Sequence, residues 1–238
     1  FDKRSNCFWQ PDVFGYSAAL PQIMKGVGID YFLTTKLSWN DTNRFPYDTF
    51  RWRGLDGTEV VSHFNVTHTR PDPLSLDKHW KDLNHKDIQD RRLVAYGLGD
   101  GGSGVQFQML ETARRVGDLE GCPRTENTKL GDFMGELDKD LSEGLPTWNG
   151  ELYLELHRGV LTTQPELKKG NRRSELLLRQ AEWVRAVANV TSEETYPAED
   201  FKRIWKKLLL NQFHDILPGT SIAPVHIEAK EDFDAICE

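Results

Sequence analysis

Short strand-like segments alternate with helical segments through the first half of the chain, and this alternation most limits the folds it can adopt. Residues 31–35 are aromatic and β-branched, which is typical of a strand, and they follow a helical pattern over residues 21–29. The dipeptide Asp56-Gly57 lies between two further strand-like runs and is typical of a tight hairpin turn. The apolar run 93–98 indicates a buried strand, and a glycine-rich loop joins it to a helical pattern over residues 105–117. Strands alternating with helices predict an α/β fold, with crossover helices on a parallel sheet or barrel.

The second half of the chain changes to three consecutive helical patterns. Apolar residues recur at helical spacing over residues 171–190, over residues 198–212 and from Pro224 to the end. Three helices joined by short loops predict a small bundle. We therefore divide the chain into an α/β domain, residues 1–169, and a helical bundle domain, residues 170–238.

Composition excludes several classes of protein. Asp and Glu number 37 against 30 Lys and Arg, and this excess of acid argues against a nucleic-acid partner, which requires a basic surface. No apolar run approaches the roughly 20 residues of a membrane-spanning helix, so no membrane partner is expected. The three cysteines lie far apart without a CxxC pair, which favours free thiols in a reducing compartment over a structural zinc site.

Asp12 is the first candidate for chemistry. It lies between Pro11 and an apolar pair, with Gly15 close behind, and this pattern predicts a carboxylate on a tight corner between a strand and a helix. Such corners at the carboxyl ends of strands are where α/β folds place reactive groups. The alternative is that Asp12 caps a helix beginning near Ser17 or Ala18, and local chemistry does not decide between the two.

Asp100 lies at the centre of a second candidate, the glycine-rich loop 97–104. The loop lacks the Lys-Ser/Thr ending of a nucleotide P-loop and the full dinucleotide-binding spacing, and a central carboxylate repels phosphate. A neutral ligand rich in hydroxyl groups, or a metal ion, fits the loop better. The alternative is a plain turn before the helix.

Two further segments each have a structural and a functional interpretation. His214 lies at a predicted helix C-terminus before Pro218, where an imidazole can complement the helix dipole or bind a metal. Residues 151–157 alternate, with three leucines on one face of a predicted strand. The opposite face is either solvated or a sugar-binding wall, and it carries Glu151, Tyr153, Glu155 and His157.

Taken together, these segments resemble the α-mannosidases of glycoside hydrolase family 38. Their sequences are most similar to the branch of bacterial, cytosolic and vacuolar enzymes. The matching pieces occur in family order and cover nearly the whole chain. They are residues 10–23, residues 28–33 with 36–40 and 43–46, the loop at Asp100, residues 148–159 and residues 210–222.

The resemblance implies a retaining, zinc-dependent α-mannosidase that hydrolyses terminal α-D-mannosyl residues of oligosaccharides or free N-glycans. It implies an α/β barrel of the glycoside hydrolase and deacetylase type, followed by a three-helix bundle and β-sandwich domains. Asp12 matches the nucleophile, which also contacts the metal, and His214 matches a zinc ligand. Asp100 aligns with the carboxylate-bearing loop and is our candidate for the general acid. Cobalt or another divalent metal is the alternative to zinc.

The resemblance also implies which residues contact a mannose-containing oligosaccharide, and where the enzyme works. The expected sugar-contacting residues are Glu151, His157 and Arg158. Trp9, Trp39 and Trp148 are candidate apolar walls against the faces of the sugar, with a place in the core as the alternative for each. The expected location is the cytoplasm, with the vacuole or lysosome as the alternative, and the full-length protein could form a homo-oligomer.

One family motif is absent from the sequence. The other two zinc ligands of the family come from a His-x-Asp motif early in the barrel, and no His-x-Asp occurs here. Together with a start at Phe1 and an end within a helical pattern, this predicts an internal piece of a longer protein, inactive on its own. A metal-dependent polysaccharide deacetylase and a non-catalytic carbohydrate-binding fragment remain the alternatives.

Overall fold

The computed structural model describes residues 2–99, 102–141 and 144–238. The chain divides into two compact units, one extending to Arg158 and the other beginning at Gly159. This division precedes the boundary expected after residue 169, because the first long helix of the second unit already begins at Pro165. Each unit has an apolar core of its own.

Nine strands and seven α-helices make up the described residues. The strands are β1 (Cys7–Trp9), β2 (Gly15–Tyr16), β3 (Tyr31–Thr34), β4 (Thr49–Arg53), β5 (Glu59–Phe64), β6 (Val66–Thr69), β7 (Val94–Tyr96), β8 (Thr147–Asn149) and β9 (Leu152–Tyr153). The helices are α1 (Leu20–Gly26), α2 (Pro73–Lys81), α3 (Phe107–Val116), α4 (Leu130–Leu141), α5 (Pro165–Thr191), α6 (Ala198–Asn211) and α7 (Ala223–Cys237).

A mixed five-stranded sheet organises the first unit. Its strands follow the spatial order β1-β3-β5-β4-β8. The strands β1, β3 and β5 are parallel, as the strand–helix alternation predicts. The sheet is nevertheless mixed, because the hairpin at Asp56-Gly57 pairs β4 antiparallel to β5. Gly57 makes this turn with a φ of +87°, a conformation that glycine adopts without steric cost.

Both faces of this sheet are buried. Successive side chains of a strand point to opposite faces, so Phe32 and Leu33 of β3 enter different apolar clusters. Phe32 packs beside Trp52 with ring centroids 4.9 Å apart, in the cluster that also contains Met24 of α1. Leu33 packs in the cluster that contains Met134 of α4. The sheet is therefore a middle layer, and its strand ends are the positions available for chemistry.

Two short ribbons flank the main sheet. The strands β2 and β9 pair antiparallel, with Tyr16 opposite Leu152. The strands β6 and β7 pair in parallel with an irregular register. The expectation of a buried strand over residues 93–98 is wrong in its burial, because β7 lies in this two-stranded ribbon and is only half-buried.

Three helices form the second unit and contact one another pairwise. Their shared core includes Leu167 of α5, Leu208 of α6 and Phe233 of α7. Gly170 of α5 lies against the ring of Phe233, since a Cβ added there would be 2.8 Å from three of its atoms.

None of the helices in the described residues is long and apolar enough to cross a membrane.

Candidate active site

Asp12 lies in a turn just beyond the carboxyl end of β1, and its side chain is 60% exposed. The predicted corner is present, but the chain leads from it into the short strand β2 before any helix begins. The alternative, a helix cap, is wrong, because Ala19 is the N-cap of α1 and no side chain caps that helix. Asp12 is thus an accessible carboxylate just beyond the end of β1, an edge strand of the sheet.

Tyr16 fixes the backbone that precedes Asp12. Its hydroxyl donates to the carbonyl oxygen of Gln10 at 2.6 Å, and it accepts from the Thr34 hydroxyl at 2.7 Å. The N–H of Gln10 in turn donates to the carbonyl of Leu33 at 3.0 Å. Burial raises the pKa of Tyr16 above its usual value, so the hydroxyl keeps the proton that it donates. Two hydrogen bonds, between Gln10 and Leu33 and between Tyr16 and Thr34, therefore hold the turn that contains Asp12 against β3.

Lys36 is a residue of the candidate site that sequence reasoning missed. Its Nζ lies 2.6 Å from Oδ1 of Asp12, although the two residues are far apart in the chain. The same ammonium lies 3.5 Å from the ring centroid of Trp39 and 5.3 Å from that of Phe14. The sequence offered one indication of its role, a lysine two residues after the end of β3. No local sequence pattern linked this lysine to Asp12.

Two of the three tryptophans considered as sugar-stacking walls remain accessible. Trp9 ends β1 and is 40% exposed, whereas Trp39 is 53% exposed with Lys36 over its ring. Trp148 instead packs on the apolar core, 4.7 Å from the ring of Phe45, and its indole N–H donates to the carbonyl of Glu151. Trp9 and Trp39 thus present accessible aromatic surface, and the ring centroid of Trp39 lies 3.5 Å from the ammonium that pairs with Asp12.

The predicted alternating strand over residues 151–157 is wrong beyond Tyr153. Leu152 and Leu154 are buried as expected, but Leu156 is 61% exposed. The chain turns into a 3₁₀ segment, Glu155–Leu161, because the backbone N–H of Glu155 donates to Oδ1 of Asn40 at 2.8 Å. The polar residues of this segment therefore do not form one continuous strand face.

The Glu155 carboxylate binds a row of backbone amides. Oε1 accepts from the N–H groups of Asp41, at 2.6 Å, and of Thr42, and Oε2 accepts from Asn43 at 2.8 Å. These bonds, above all the one from Thr42, lower the pKa of Glu155. Asn40 is buried and its amide donates to the carbonyl of Asn43. Glu155 thus holds the loop that follows Trp39, which is a structural role rather than a sugar contact.

Glu155→Gln should loosen this loop, because an amide replaces one of the two acceptor oxygens and removes the charge that strengthens all three bonds. We expect amide hydrogen exchange at Asp41, Thr42 and Asn43 to accelerate at least about tenfold. Exchange measured residue by residue by NMR tests this. Glu151→Gln is the matched control, because Glu151 is an exposed carboxylate of the same segment; equal protection in the two variants would contradict the assignment.

His157 is the member of this segment that approaches the Asp12 corner. Its ring centroid lies 4.5 Å from that of Phe14, and its Nδ1 is buried without a hydrogen-bond partner among the described residues. Glu151 and Arg158 are exposed, and the guanidinium of Arg158 lies 5.3 Å from the ring centroid of Tyr153. His157 thus contacts Phe14, which follows Asp12 by two residues in the chain.

Asp100 lies outside the described residues. Its neighbour Gly99 is described, and a Cβ added there would lie 2.3 Å from Cδ2 of His68. A side chain at this position would therefore require the His68 ring to move.

His214 lies in the second unit, in the turn that follows α6, with 69% of its side chain exposed. The end of α6 is fixed by two amide side chains that precede this turn. Asn211 is buried and donates to Oδ2 of Asp232 on α7 at 2.9 Å, whereas Gln212 donates to Oδ1 of Asn171 on α5 at 2.9 Å. The helices α5 and α7 therefore anchor the turn that presents His214.

The described residues contain no group of three or more His, Cys, Asp or Glu side chains that could hold a metal ion. The two predicted ligands, Asp12 and His214, belong to different units. A catalytic zinc ion takes three protein ligands. The near oxygen of Asp12 is also already paired with an ammonium group. These residues alone do not fit a complete zinc site.

Two family models together match almost the entire chain. The model described as "Glycosyl hydrolases family 38 N-terminal domain" matches residues 1–151, and "Alpha mannosidase middle domain" matches residues 155–238. The Asp12 corner, Lys36 and Trp39 lie in the first match, and His214 lies in the second.

Named relatives are similar over nearly the full length of this chain. Alpha-mannosidase 2C1 of Mus musculus is 41% identical over 240 residues, covering 99% of this chain and 23% of that protein. The Homo sapiens protein of the same name is 42% identical over the same shares of both chains. An alpha-mannosidase of Saccharomyces cerevisiae is 38% identical over 243 residues, covering 95% of this chain and 22% of that protein. The chain spans about a quarter of the length of these relatives.

The fold has a solved counterpart. The crystal structure of an alpha-mannosidase from Enterococcus faecalis covers 98% of this chain, with a TM-score of 0.70 and 22% identity. This chain covers 28% of that protein. At this level of identity the likeness establishes the fold alone.

Proposed function

Because the chain belongs to glycosyl hydrolase family 38, we propose that it is part of an α-mannosidase that removes terminal α-D-mannosyl residues from oligosaccharides or free N-glycans and retains the anomeric configuration. The observation that carries this proposal is the accessible carboxylate of Asp12, fixed at the carboxyl end of β1. The named relatives support the substrate class.

In the proposed reaction, one carboxyl group is the nucleophile and a second is the general acid. An oxygen of Asp12 attacks the anomeric carbon while the glycosidic C–O bond breaks, and Asp100, the proposed general acid, gives its proton to the leaving oxygen. A water molecule then attacks the same carbon, its proton passes to Asp100, and the bond to Asp12 breaks. Mannose leaves with its configuration retained, and both carboxyl groups return to their starting states.

The surroundings of Asp12 suit a nucleophile. The ammonium of Lys36 lies 2.6 Å from Oδ1 of Asp12 and restrains that oxygen. The turn is fixed by Tyr16, which limits the entropy lost when the carboxylate meets its substrate. We assign Trp9 and Trp39 to the sugar-binding surface, together with His157, Glu151 and Arg158 on the neighbouring segment.

We also propose zinc as the metal of the full-length protein, with Asp12 and His214 among its ligands and cobalt or another divalent ion as the alternative. The residues of this chain are too few for a complete site, so no step above is assigned to the metal. The barrel belongs to the same proposal: its support is the parallel set β1, β3 and β5, whose carboxyl ends lead to Asp12 and Lys36. For the full-length protein we also propose a cytoplasmic location, with the vacuole or lysosome as the alternative, and a homo-oligomeric state.

Zinc should bind this 238-residue chain only weakly. We expect a Kd above about 10 µM, because the apparent binding energies of about 10–16 kcal/mol measured for structural sites need a full ligand set. Equilibrium dialysis against Zn²⁺, with a His214→Ala variant as control, measures this. Submicromolar affinity, or mannosidase turnover by the chain itself, would contradict it.

The experiment that tests the function is covalent trapping in the full-length protein. A fluorinated mannosyl fluoride should lose fluoride and leave a mannosyl ester on Asp12, which peptide mass spectrometry locates. A polysaccharide deacetylase forms no such adduct, since its nucleophile is a metal-bound water. Release of mannose from an aryl α-mannoside without any adduct on Asp12 would overturn the nucleophile assignment.

A further inference from the structure

Lys36 is a buried cation beside an exposed anion. The residue is 8% exposed, whereas the side chain of Asp12, which pairs with it at 2.6 Å, is 60% exposed. Removing an ammonium group from water is costly unless it gains a partner. The position of Lys36 is therefore set by the protein around it, and Asp12 is the more adjustable member of the pair.

The protein holds the ammonium group from several directions. The rings of Trp39 and Phe14 lie 3.5 Å and 5.3 Å from Nζ, and both attract a cation through their π faces. The backbone of Lys36 begins a 3₁₀ turn, and the next residue, Leu37, is 1% exposed in the apolar core. The loop after Trp39 is held in turn by Glu155. The ammonium is thus a fixed point charge.

We propose that Lys36 is a positioning residue: its ammonium holds Oδ1 of Asp12, and this leaves Oδ2 as the oxygen presented to the anomeric carbon. This inference rests on the proposed function, because it concerns the same nucleophile. A carboxylate with both oxygens unrestrained can rotate about its Cβ–Cγ bond, and a misplacement of about 1 Å can cost about 10²-fold in rate. The ion pair removes that freedom before substrate arrives.

Two other roles for Lys36 predict different measurements. A lysine that contacts the sugar directly would change KM when it is replaced. A lysine that only completes the packing would change thermal stability and leave the chemistry intact. A positioning residue changes the rate at which the bond to Asp12 forms and leaves KM nearly unchanged.

The experiment uses the full-length protein with Lys36→Met, which keeps the length of the side chain without its charge, and Lys36→Arg, which keeps the charge. Lys25→Met is the matched control, because Lys25 also forms a 2.6 Å ion pair, with Asp30, elsewhere on the first unit. We measure kcat and KM on an aryl α-mannoside, the rate of adduct formation on Asp12, and the thermal midpoint.

We expect Lys36→Met to lower kcat and the rate of adduct formation by about 10²-fold, with KM within about threefold of the wild-type value. Lys36→Arg should be intermediate, about tenfold below wild type, because a planar guanidinium cannot replace a compact ammonium at the same point. Lys25→Met should match wild type.

Wild-type kcat in Lys36→Met, or a change confined to KM, would overturn the inference. If Lys36→Met does not fold, Lys36→Arg decides alone, and a wild-type kcat in that variant overturns the inference. A wild-type protein that neither hydrolyses the mannoside nor forms the adduct overturns the proposed function instead.

Discussion

Asp12→Asn should lower kcat on an aryl α-mannoside by at least about 10³-fold in the full-length protein, because an amide is a far weaker nucleophile than a carboxylate. The side chains are nearly equal in size, and Asp12 is mostly exposed, so folding should not change. The loss should appear in the rate of adduct formation as well as in turnover. Stopped-flow release of the aryl group measures both.

Asp30→Asn is the matched control for this variant. Asp30 also forms an ion pair with a lysine at 2.6 Å, and it lies at the start of β3 rather than beyond the end of β1. Its activity should equal that of wild type. Retained activity in Asp12→Asn would remove Asp12 from the proposed mechanism, whereas equal losses in both variants would indicate a general effect of breaking ion pairs.

The second large effect concerns His63 of β5, which is fully buried. The N–H of Leu93 donates to its Nε2 at 3.1 Å, so Nδ1 carries the proton and donates to the Thr49 hydroxyl at 2.8 Å. Thr49 in turn donates to Gln89. Burial, followed by the nearby charge of Arg92, lowers the pKa of His63 to about 3. The imidazole is therefore neutral in the folded protein.

This neutral histidine should make stability depend on pH. Between about pH 6.5 and pH 3 the unfolded chain binds a proton at residue 63 that the folded chain does not, so stability is complete above pH 6.5 and falls on acidification. The contribution of this one group approaches a tenfold loss in the folding equilibrium constant per pH unit. Urea unfolding at a series of pH values measures it.

His63→Gln separates this effect from other titrations. It should cost about 1–3 kcal/mol at pH 7, because part of the buried hydrogen-bond network is left unsatisfied. The difference from wild type should then shrink steadily as the pH falls from 6.5 to 4, since glutamine does not titrate. His85→Gln, at a more exposed histidine, is the control. A difference that is constant with pH would contradict the neutral assignment.

Local sequence patterns predicted the parts of the fold that depend on local periodicity and turn chemistry. The strand β3, the hairpin at Asp56-Gly57 and the helices α6 and α7 lie close to their predicted positions. The helix α2 was missed although its signals were present, since Asp72 caps it and Pro73 follows. Its apolar face is short, so periodicity alone did not reveal it.

The errors come from contacts between residues distant in sequence. The pattern after Tyr153 is an alternating strand by periodicity, but the chain there forms a 3₁₀ segment. In that segment the Glu155 N–H donates to Oδ1 of Asn40, and the Glu155 carboxylate accepts from the N–H of Asp41. The pairing of Lys36 with Asp12 likewise depends on β1 and β3 being neighbours in the sheet. Asp12 could be named as a candidate from its own sequence, whereas the cation that pairs with it could not.

The hydrogen bonding of Asn40 affects whether this chain can fold after synthesis in a compartment that attaches N-linked glycans. Asn40, Asp41 and Thr42 form an acceptor triplet for N-linked glycosylation. Asn40 is buried and its amide nitrogen donates to the carbonyl of Asn43, so a bulky glycan attached there could not coexist with the loop beside Trp39. A nascent chain that an oligosaccharyltransferase glycosylated at Asn40 before folding would carry the glycan within the loop that borders the proposed sugar-binding site.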